Sequence, residues 1–180
     1  QKHVAIQTEE LKPQINIETP PIRLAVKNDT KINSEKDYNE IAKENPNKIK
    51  YATSGLGSGQ HLVMEYLAKR FGIKWDHVPF AGGTQAVAAL LGWHVQVVSQ
   101  TPEWKEHVLA GKLRLLVVCT DQRMKAFPNV PTLIEKGIKF SVHSGLSFMG
   151  PAGTPPAEVE KLQNAFAEDK KFKVFLDAMD

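Results

Sequence analysis

The sequence predicts an α/β fold in which an open, mainly parallel sheet carries helices on both faces. Two observations support this class. Short apolar runs rich in β-branched residues alternate with amphipathic segments of helical period along most of the chain. Bends containing glycine or proline separate the two kinds of segment, as expected where crossover helices join parallel strands. At 180 residues and 42% hydrophobic content, the chain is long enough to bury a substantial core.

The amino-terminal half begins with an irregular segment that ends at the double proline of residues 20–21, which we interpret as a flanking segment or hinge. IRLAVK at 22–27 is the first predicted strand. A helix follows it, because Ser34 and Asp37 form the capping-box pair that typically starts one. The next predicted strand, KIKYATS, leads through a bend with three glycines into an amphipathic helix.

The carboxyl-terminal half continues the alternation. WDHVPF and VQVVSQ are predicted strands on either side of the helix QAVAALLG, which is apolar on nearly every side and is therefore expected to be buried. Thr101 is expected to cap the helix EWKEHVLAG, with Pro102 in its first turn. The strand LRLLVVCT, a short helix (PTLIEKG), a last strand (SGLSFMG) and a final helix (TPPAEVEKLQNAFAEDKKF) complete the order. Residues 22–150 are thus predicted to form one α/β lobe.

Composition excludes several classes of protein. The net charge of +3 is mild and the lysines are scattered among acidic residues, so no nucleic-acid partner is expected. The single cysteine, Cys119, excludes an internal disulfide and any cysteine-based metal site, and its strand predicts a buried structural thiol. No apolar run approaches the ~20 residues of a membrane span. The chain opens with a polar segment rather than a signal peptide, an observation that places the protein in no compartment.

Three bends, SGLGSG, FAGGT and SQTPE, each follow a predicted strand and precede a predicted helix. The carboxyl ends of parallel strands meet at one edge of a sheet, so we expect all three bends to open on the same edge. Helix starts and glycine bends expose N–H donors that hold anions. The hydroxyls and glycines concerned are Ser54, Gly55, Gly57, Ser58, Gly82, Gly83, Thr84, Ser99 and Thr101. Taken singly, each bend is better explained as an ordinary helix cap or tight turn, and it is the three bends on one edge together that favour a binding cleft.

The anion could be a phosphate, a catalytic oxyanion or a carboxylate, and the spacing of the residues argues against the first two. A P-loop requires lysine and a hydroxyl residue after its last glycine, where this chain has Gln60 and His61. The glycines run G-x-G-x-G instead of the dinucleotide pattern G-x-G-x-x-G, and no serine has the glycine flanks of a hydrolase elbow. Small carboxylate binding is the favoured interpretation. His61, in the first helical turn, either contacts the anion or packs against its own helix.

Five ordered motifs are similar to a known family. They are KYATSGLGSGQHL, HVPFAGGTQAVAALLGWHVQVV, AGKLRLLVVCTDQR, FPNVPTLIEKG and GPAGTPPAEVEKL. From about Arg23 to Lys161 the chain resembles the tripartite tricarboxylate transporter substrate-binding receptors, also called the TctC or Bug family. The resemblance implies a periplasmic receptor built from two lobes of periplasmic-binding-protein type II, which close around a carboxylate and deliver it to a membrane permease. It implies no catalysis and no cofactor.

The resemblance also implies roles for the bends. The SGLGS bend contacts one end of the ligand, the FAGG bend lines the wall of the cleft, and the SQT segment lies at the crossover toward the other lobe. The residues concerned are Ser54, Gly55, Gly57, Ser58, Phe80, Ala81, Gly82, Ser99 and Thr101. Family members often have Tyr-Lys where this chain has Phe80-Ala81, and glycine where it has Trp93. These departures concern the identity of the ligand.

The extent of the chain also departs from the family pattern. The family's first lobe begins with a strand and a proline- and glycine-rich loop, which do not precede Gln1, and family members continue past Asp180. The chain is therefore expected to be mostly a second lobe, as a fragment, a processed form or a truncation. Residues 1–21 and the helix of 151–180 would then belong to the first lobe. A lobe without its partner would expose apolar surface, which predicts a dimer.

Two other classes of function stay open at this point. An α/β enzyme could use the glycine-rich bend for a nucleotide or an oxyanion. An interaction domain could lack a ligand of its own if half of the cleft is missing.

Overall fold

A computed structural model describes residues 11–18, 21–142 and 146–169. Its contacts divide the chain into two units, one of residues 21–144 and one that joins residues 1–20 to residues 145–180. None of the helices in the described ranges has the length and apolar character that crossing a membrane requires. In chain order the elements are β1 (Leu11–Glu18), β2 (Arg23–Lys27), α1 (Glu35–Glu44), β3 (Lys50–Thr53), α2 (Gly59–Phe71), β4 (Asp76–Pro79), α3 (Gly83–Leu91), β5 (Val97–Gln100), a 3₁₀ turn (Pro102–Trp104), α4 (Lys105–Leu109), β6 (Leu113–Val118), β7 (Leu146–Pro151) and α5 (Pro156–Asp169).

The larger unit contains a five-stranded sheet in the order β4-β3-β5-β2-β6. β3 pairs in parallel with both β4 and β5, whereas β2 is antiparallel to both β5 and β6. Four of the five strands therefore run in one direction, which confirms the predicted mainly parallel sheet. The expectation that the first two predicted strands form a parallel βαβ unit is wrong. β2 is inserted between β5 and β6 and runs against its neighbours, so β5 separates it from β3.

Helices cover both faces of this sheet, as predicted. On one face α1 and α2 bury a core that includes Leu24, Tyr51 and Val97 from the strands. On the opposite face α3 and the 3₁₀ turn pack on Ala25 and Ala52. Successive strand residues thus point to opposite faces, as the period of two requires. Small side chains beneath α3 let that short, apolar helix approach the sheet closely.

The helix ends follow local sequence signals. At the start of α1 the Ser34 Oγ accepts the Asp37 N–H at 3.1 Å, and an Asp37 carboxylate oxygen accepts the Ser34 N–H at 3.0 Å, which confirms the capping box. α2 begins after Ser58, whose Oγ accepts the His61 N–H at 3.3 Å, and ends at Gly72 in the left-handed conformation. The N-cap of α3, Gly82, has no side chain with which to cap.

Four elements differ from the sequence-based expectation. The helix expected after Thr101 is a 3₁₀ turn followed by the five-residue α4, and the Thr101 side chain caps neither. PTLIEKG forms hydrogen-bonded turns instead of a helix. β1 was not foreseen, because Pro13 interrupts its strand pattern. The last predicted strand, β7, pairs with β1 and not with the larger sheet, so the contacts place the boundary between residues 144 and 145, ahead of residue 150.

The chain enters and leaves the larger unit at a single point. The Cys119 N–H donates to the Ile22 carbonyl at 2.8 Å, and the Cys119 carbonyl accepts the Val142 N–H at 2.7 Å. Ile22 precedes β2, and Val142 is the last described residue before the chain leaves the unit. One buried residue therefore bonds both the incoming and the outgoing segment.

Candidate functional site

The three bends lie at one edge of the larger sheet. They are the first bend (residues 54–58), the second bend (residues 80–83, including the first residue of α3) and the third bend (residue 101), and they follow β3, β4 and β5, which are parallel neighbours. The Phe80 N–H donates to the Thr53 carbonyl at 3.0 Å, which joins the ends of β3 and β4. The structure therefore places all three bends on the same edge, as the sequence predicts.

In the first bend, glycine conformation and side-chain bonds hold the loop together. Gly55 has a φ of +135° and Gly57 a φ of +78°, values that residues with a side chain rarely adopt. The Ser58 hydroxyl donates to the Gly55 carbonyl at 2.8 Å while it caps α2. The Gly57 N–H donates to His61 Nδ1 at 3.2 Å. The Gly57 and Ser58 donors expected to face a ligand are thus bonded inside the bend.

A group that we call the histidine cluster lies behind the first bend. The ring of His61 stacks on His77 with 4.3 Å between centroids, and His77 stacks on Tyr51 at 4.8 Å. His77 Nε2 lies 2.7 Å from Thr53 Oγ1. The Tyr51 hydroxyl donates to Glu65 at 2.8 Å, and the same carboxylate oxygen lies 3.8 Å from His61 Nε2. Side chains from β3, β4 and α2 therefore support the bend from one side.

The hydrogen bonds define the protonation of this cluster. Because His61 Nδ1 accepts the Gly57 N–H, the neutral ring carries its proton on Nε2, on the side of Glu65. Burial lowers the pKa of His77, and the neighbouring His61 lowers it further, against the opposing effect of Glu65. Burial, reinforced by Glu65, raises the pKa of Tyr51, whose hydroxyl therefore stays protonated and acts as a donor.

The second bend is built differently from the first. Phe80 is half-buried and packs against the core beneath α3, whereas Ala81 is exposed and its N–H donates to Gln85 at 3.3 Å. Gly82 has extended backbone with a φ of −168°. Gly83 is buried, and a Cβ at this position would overlap the carboxyl group of Glu103. The start of α3 is therefore occupied by a carboxylate from the protein itself.

At the third bend, Thr101 lies half-exposed at the edge while its neighbour Ser99 does not reach it. The Thr101 hydroxyl donates to Glu103 at 3.4 Å, and its N–H donates to the Gln100 side chain at 3.3 Å. Ser99 is fully buried and its hydroxyl donates to the Gln60 carbonyl in α2 at 3.0 Å. Of these two predicted site hydroxyls, Thr101 is therefore accessible at the edge, whereas Ser99 is buried against α2.

Sequence analysis missed a polar group behind the third bend. Arg23 pairs with Gln100 across β2 and β5, and its guanidinium lies 4.6 Å from the centre of the Trp104 ring. Within the part of the chain that the structure describes, the buried Gln100 Nε2 and Trp104 Nε1 donors have no acceptor. Buried donors of this kind are normally satisfied by water or by a ligand. The available sequence signal was Arg23, a charged residue between the apolar Ile22 and Leu24 of the predicted strand.

The reactive side chains near the bends make few contacts of the kind that catalysis uses. A single hydroxyl–imidazole pair, Thr53 with His77, is recorded among the described residues, and Thr53 is fully buried, out of reach of a substrate. The Ser58 hydroxyl contacts backbone groups and no basic side chain. Over the described ranges, no three histidine, cysteine or carboxylate side chains are placed to hold a metal ion.

Comparison with known proteins identifies the family. The profile of the "Tripartite tricarboxylate transporter family receptor" group matches residues 2–179. The chain belongs to this receptor family. It is 40% identical over 152 residues to the "UPF0065 protein in gbd 5'region" of Cupriavidus necator, an alignment that covers 84% of this chain and 46% of that protein. The resemblance on which the sequence analysis relied is therefore confirmed.

Solved structures of the same receptor family share the fold. A TctC solute-binding protein from Polaromonas, solved without ligand, is 30% identical with a TM-score of 0.74, over 98% of this chain and 61% of that one. An R. palustris protein solved with adipate is 27% identical with a TM-score of 0.83, over 92% of this chain and 56% of that one. These likenesses confirm a lobe of the periplasmic-binding-protein type. The chain spans about half the length of the curated relatives that it matches.

Proposed function

We propose that this chain is the ligand-binding lobe of an extracytoplasmic receptor, which binds a small carboxylate and delivers it to a transporter of the tripartite tricarboxylate type. One observation carries the proposal. Three parallel, adjacent strands end in bends of glycines and hydroxyl residues at a single edge of the sheet. Hydroxyls and backbone N–H groups satisfy the oxygens of a carboxylate without attacking it. The family and the adipate found in a relative agree with this chemistry.

The carboxylate is expected at the first bend. α2 has 13 residues, its positive end lies at this bend, and no acidic side chain occupies its first turn. At the start of α3 the corresponding position is filled by Glu103, which would repel a second anion. Ser54, half-exposed beside Gly55, adds a hydroxyl at the first bend. The second and third bends then supply the wall of the site through Phe80 and Thr101.

The wider biology of the receptor forms part of the same proposal. We infer that residues 1–20 and 145–180 belong to the first lobe of the whole protein, since β1 pairs with β7 in a unit apart from the sheet. Family membership supports a periplasmic location and a membrane permease as partner. Dimerisation of an isolated lobe stays a prediction, to be measured by analytical ultracentrifugation.

A matched pair of glycine variants tests the proposed site. Gly57 and Gly111 both have positive φ, +78° and +69°, and both leave open space for a side chain. Valine should strain the backbone equally at both positions, but only Gly57 lies at the proposed site. Binding of acetate, malate, adipate and citrate would be followed by titration calorimetry and by amide chemical shifts. We expect Gly57→Val to abolish binding and Gly111→Val to retain it.

Two outcomes would contradict the proposal. If no carboxylate shifts the amides of residues 54–58 in the unmodified chain, the first bend is only a turn. If a folded Gly57→Val variant binds with unchanged affinity, the site lies elsewhere. Turnover of an ester or a nucleotide by the purified protein would instead support the enzyme alternative.

A further inference from the structure

In the first bend, the N–H donor that an anion would need is already bonded to an acceptor of the protein. The N–H of Gly57 points at His61 Nδ1, 3.2 Å away, and the His61 ring is held there by stacking on His77. His61 is only partly exposed, with 16% of its side chain accessible. The imidazole therefore occupies the hydrogen-bonding position that a carboxylate oxygen would take at this N–H.

We infer that His61 is a positioning residue that occupies the Gly57 N–H in the free protein and yields it to an anion when the ring becomes protonated. The inference rests on the proposed function of the first bend. Neutral imidazole accepts at Nδ1, whereas imidazolium donates from both nitrogens. Protonation thus turns the Gly57–His61 bond into two donors that face one another. An anion that accepts from both relieves this conflict.

Groups from three elements face the His61 ring. From its own helix, Glu65 lies 3.8 Å from His61 Nε2 and stabilises an imidazolium. From β4, His77 stacks on the ring, and burial keeps the pKa of His77 low, so His77 stays neutral and adds no opposing charge. From β3, Tyr51 stays protonated and donates to Glu65.

The inference fixes the direction in which affinity for an anion changes with pH. Acidification through the range in which histidines charge should increase affinity for a simple anion, because a charge-assisted hydrogen bond is added. One such bond corresponds to an affinity increase of about tenfold to hundredfold. The affinity of a site without this device would not change while the anion itself stays ionised.

The first test uses the free protein. The full 180-residue chain would be titrated between pH 5 and pH 8, while NMR follows the Gly57 amide and the His61 ring. We expect both signals to change at the same midpoint. In His61→Gln, whose side-chain carbonyl accepts the N–H without titrating, the Gly57 amide should become insensitive to pH. His94→Gln, which alters an exposed histidine on the turn before β5, is the control and should behave as the unmodified chain.

The second test measures binding of acetate and of sulfate at several pH values above pH 6, where both probes are ionised. We expect affinity to rise toward the acid end in the unmodified chain and in His94→Gln, and to be independent of pH in His61→Gln. A Gly57 amide that does not titrate with His61, or an equal pH dependence in His61→Gln, would overturn the inference and leave the proposed function intact. If neither probe perturbs residues 54–58 at any pH, both proposals fail.

Discussion

The first and second bends look alike in the sequence, yet they use glycine for different purposes. In the first bend Gly55 and Gly57 adopt backbone conformations with positive φ. In the second bend Gly82 has an extended backbone that any residue can adopt, and Gly83 supplies room for the Glu103 carboxyl group. The first requirement is conformational and the second is steric.

The two bends also differ in the groups that face the free N–H donors at the start of the following helix. Ser58 caps α2 with its own side chain, and His61 closes the bend from inside the same helix. α3 has no side-chain cap, and its positive end faces Glu103, a residue twenty positions further along the chain. A local bend can exchange one acceptor for another when a ligand arrives, whereas a bend filled by a distant carboxylate is closed to anions. In the proposed site, the first bend therefore binds the anion and the second bend forms the wall.

The largest effect should come from Gly55→Ala. The substitution places a side chain at a φ of +135°, although the nearest atom to the new Cβ, the Phe80 carbonyl oxygen, is 3.9 Å away. Strain of this kind costs about 1–3 kcal/mol of unfolding free energy, which chemical denaturation would measure. Gly82→Ser, the matched change in the second bend, should be neutral or slightly stabilising because serine can cap α3. Equal losses in both variants would remove the distinction between the bends.

An intermediate effect is expected from Ser58→Ala. Removing the Ser58 hydroxyl deletes the cap of α2 and the bond to the Gly55 carbonyl, at a cost of about 1 kcal/mol. The change in denaturation midpoint would be compared with that of Ser141→Ala, an exposed serine far along the chain that should change stability little. A loss no greater than in Ser141→Ala would mean that the first bend keeps its shape without its cap.

The smallest effect should come from Gly83→Ala. The added methyl group displaces the flexible end of Glu103, at a rotamer cost of about 0.5–1.5 kcal/mol. In a Glu103→Ala background the same substitution should cost nothing, so a double-mutant cycle reports the contact directly. Thermal unfolding of the four proteins would give this coupling energy. Absence of coupling would show that Gly83 is needed for its backbone and would make the second bend resemble the first.

Local signals in the sequence were sufficient for much of the fold. The capping box at Ser34, the strand–bend–helix order and the common edge of the three bends all follow from neighbouring residues and from the geometry of parallel sheets. The direction of β2 could not be predicted, because IRLAVK has the same pattern whether it runs parallel or antiparallel to its neighbours. β1 was missed because Pro13 is unusual within a strand.

The candidate site was harder to predict than the fold because its side chains meet across the fold. His77 lies sixteen residues after His61, and the register of β3 with β4 places it beside Tyr51. Glu103 falls within the predicted helix EWKEHVLAG, and its contact with Gly83 requires the 3₁₀ turn that the structure has at that place. Ser99 was chosen by residue type, but the alternation along β5 turns it under α2.

The two hydrogen bonds of Cys119 have a consequence for engineering. Because the incoming residue Ile22 and the outgoing residue Val142 bond to the same backbone unit, the larger unit is topologically an insertion with adjacent ends. Segments of this kind tolerate circular permutation and transfer between hosts. A short linker could join residues 22 and 142, and new termini could be opened at the exposed turn around Gly111, on the edge opposite the bends. The permuted unit would then carry all three bends without a chain break in any of them.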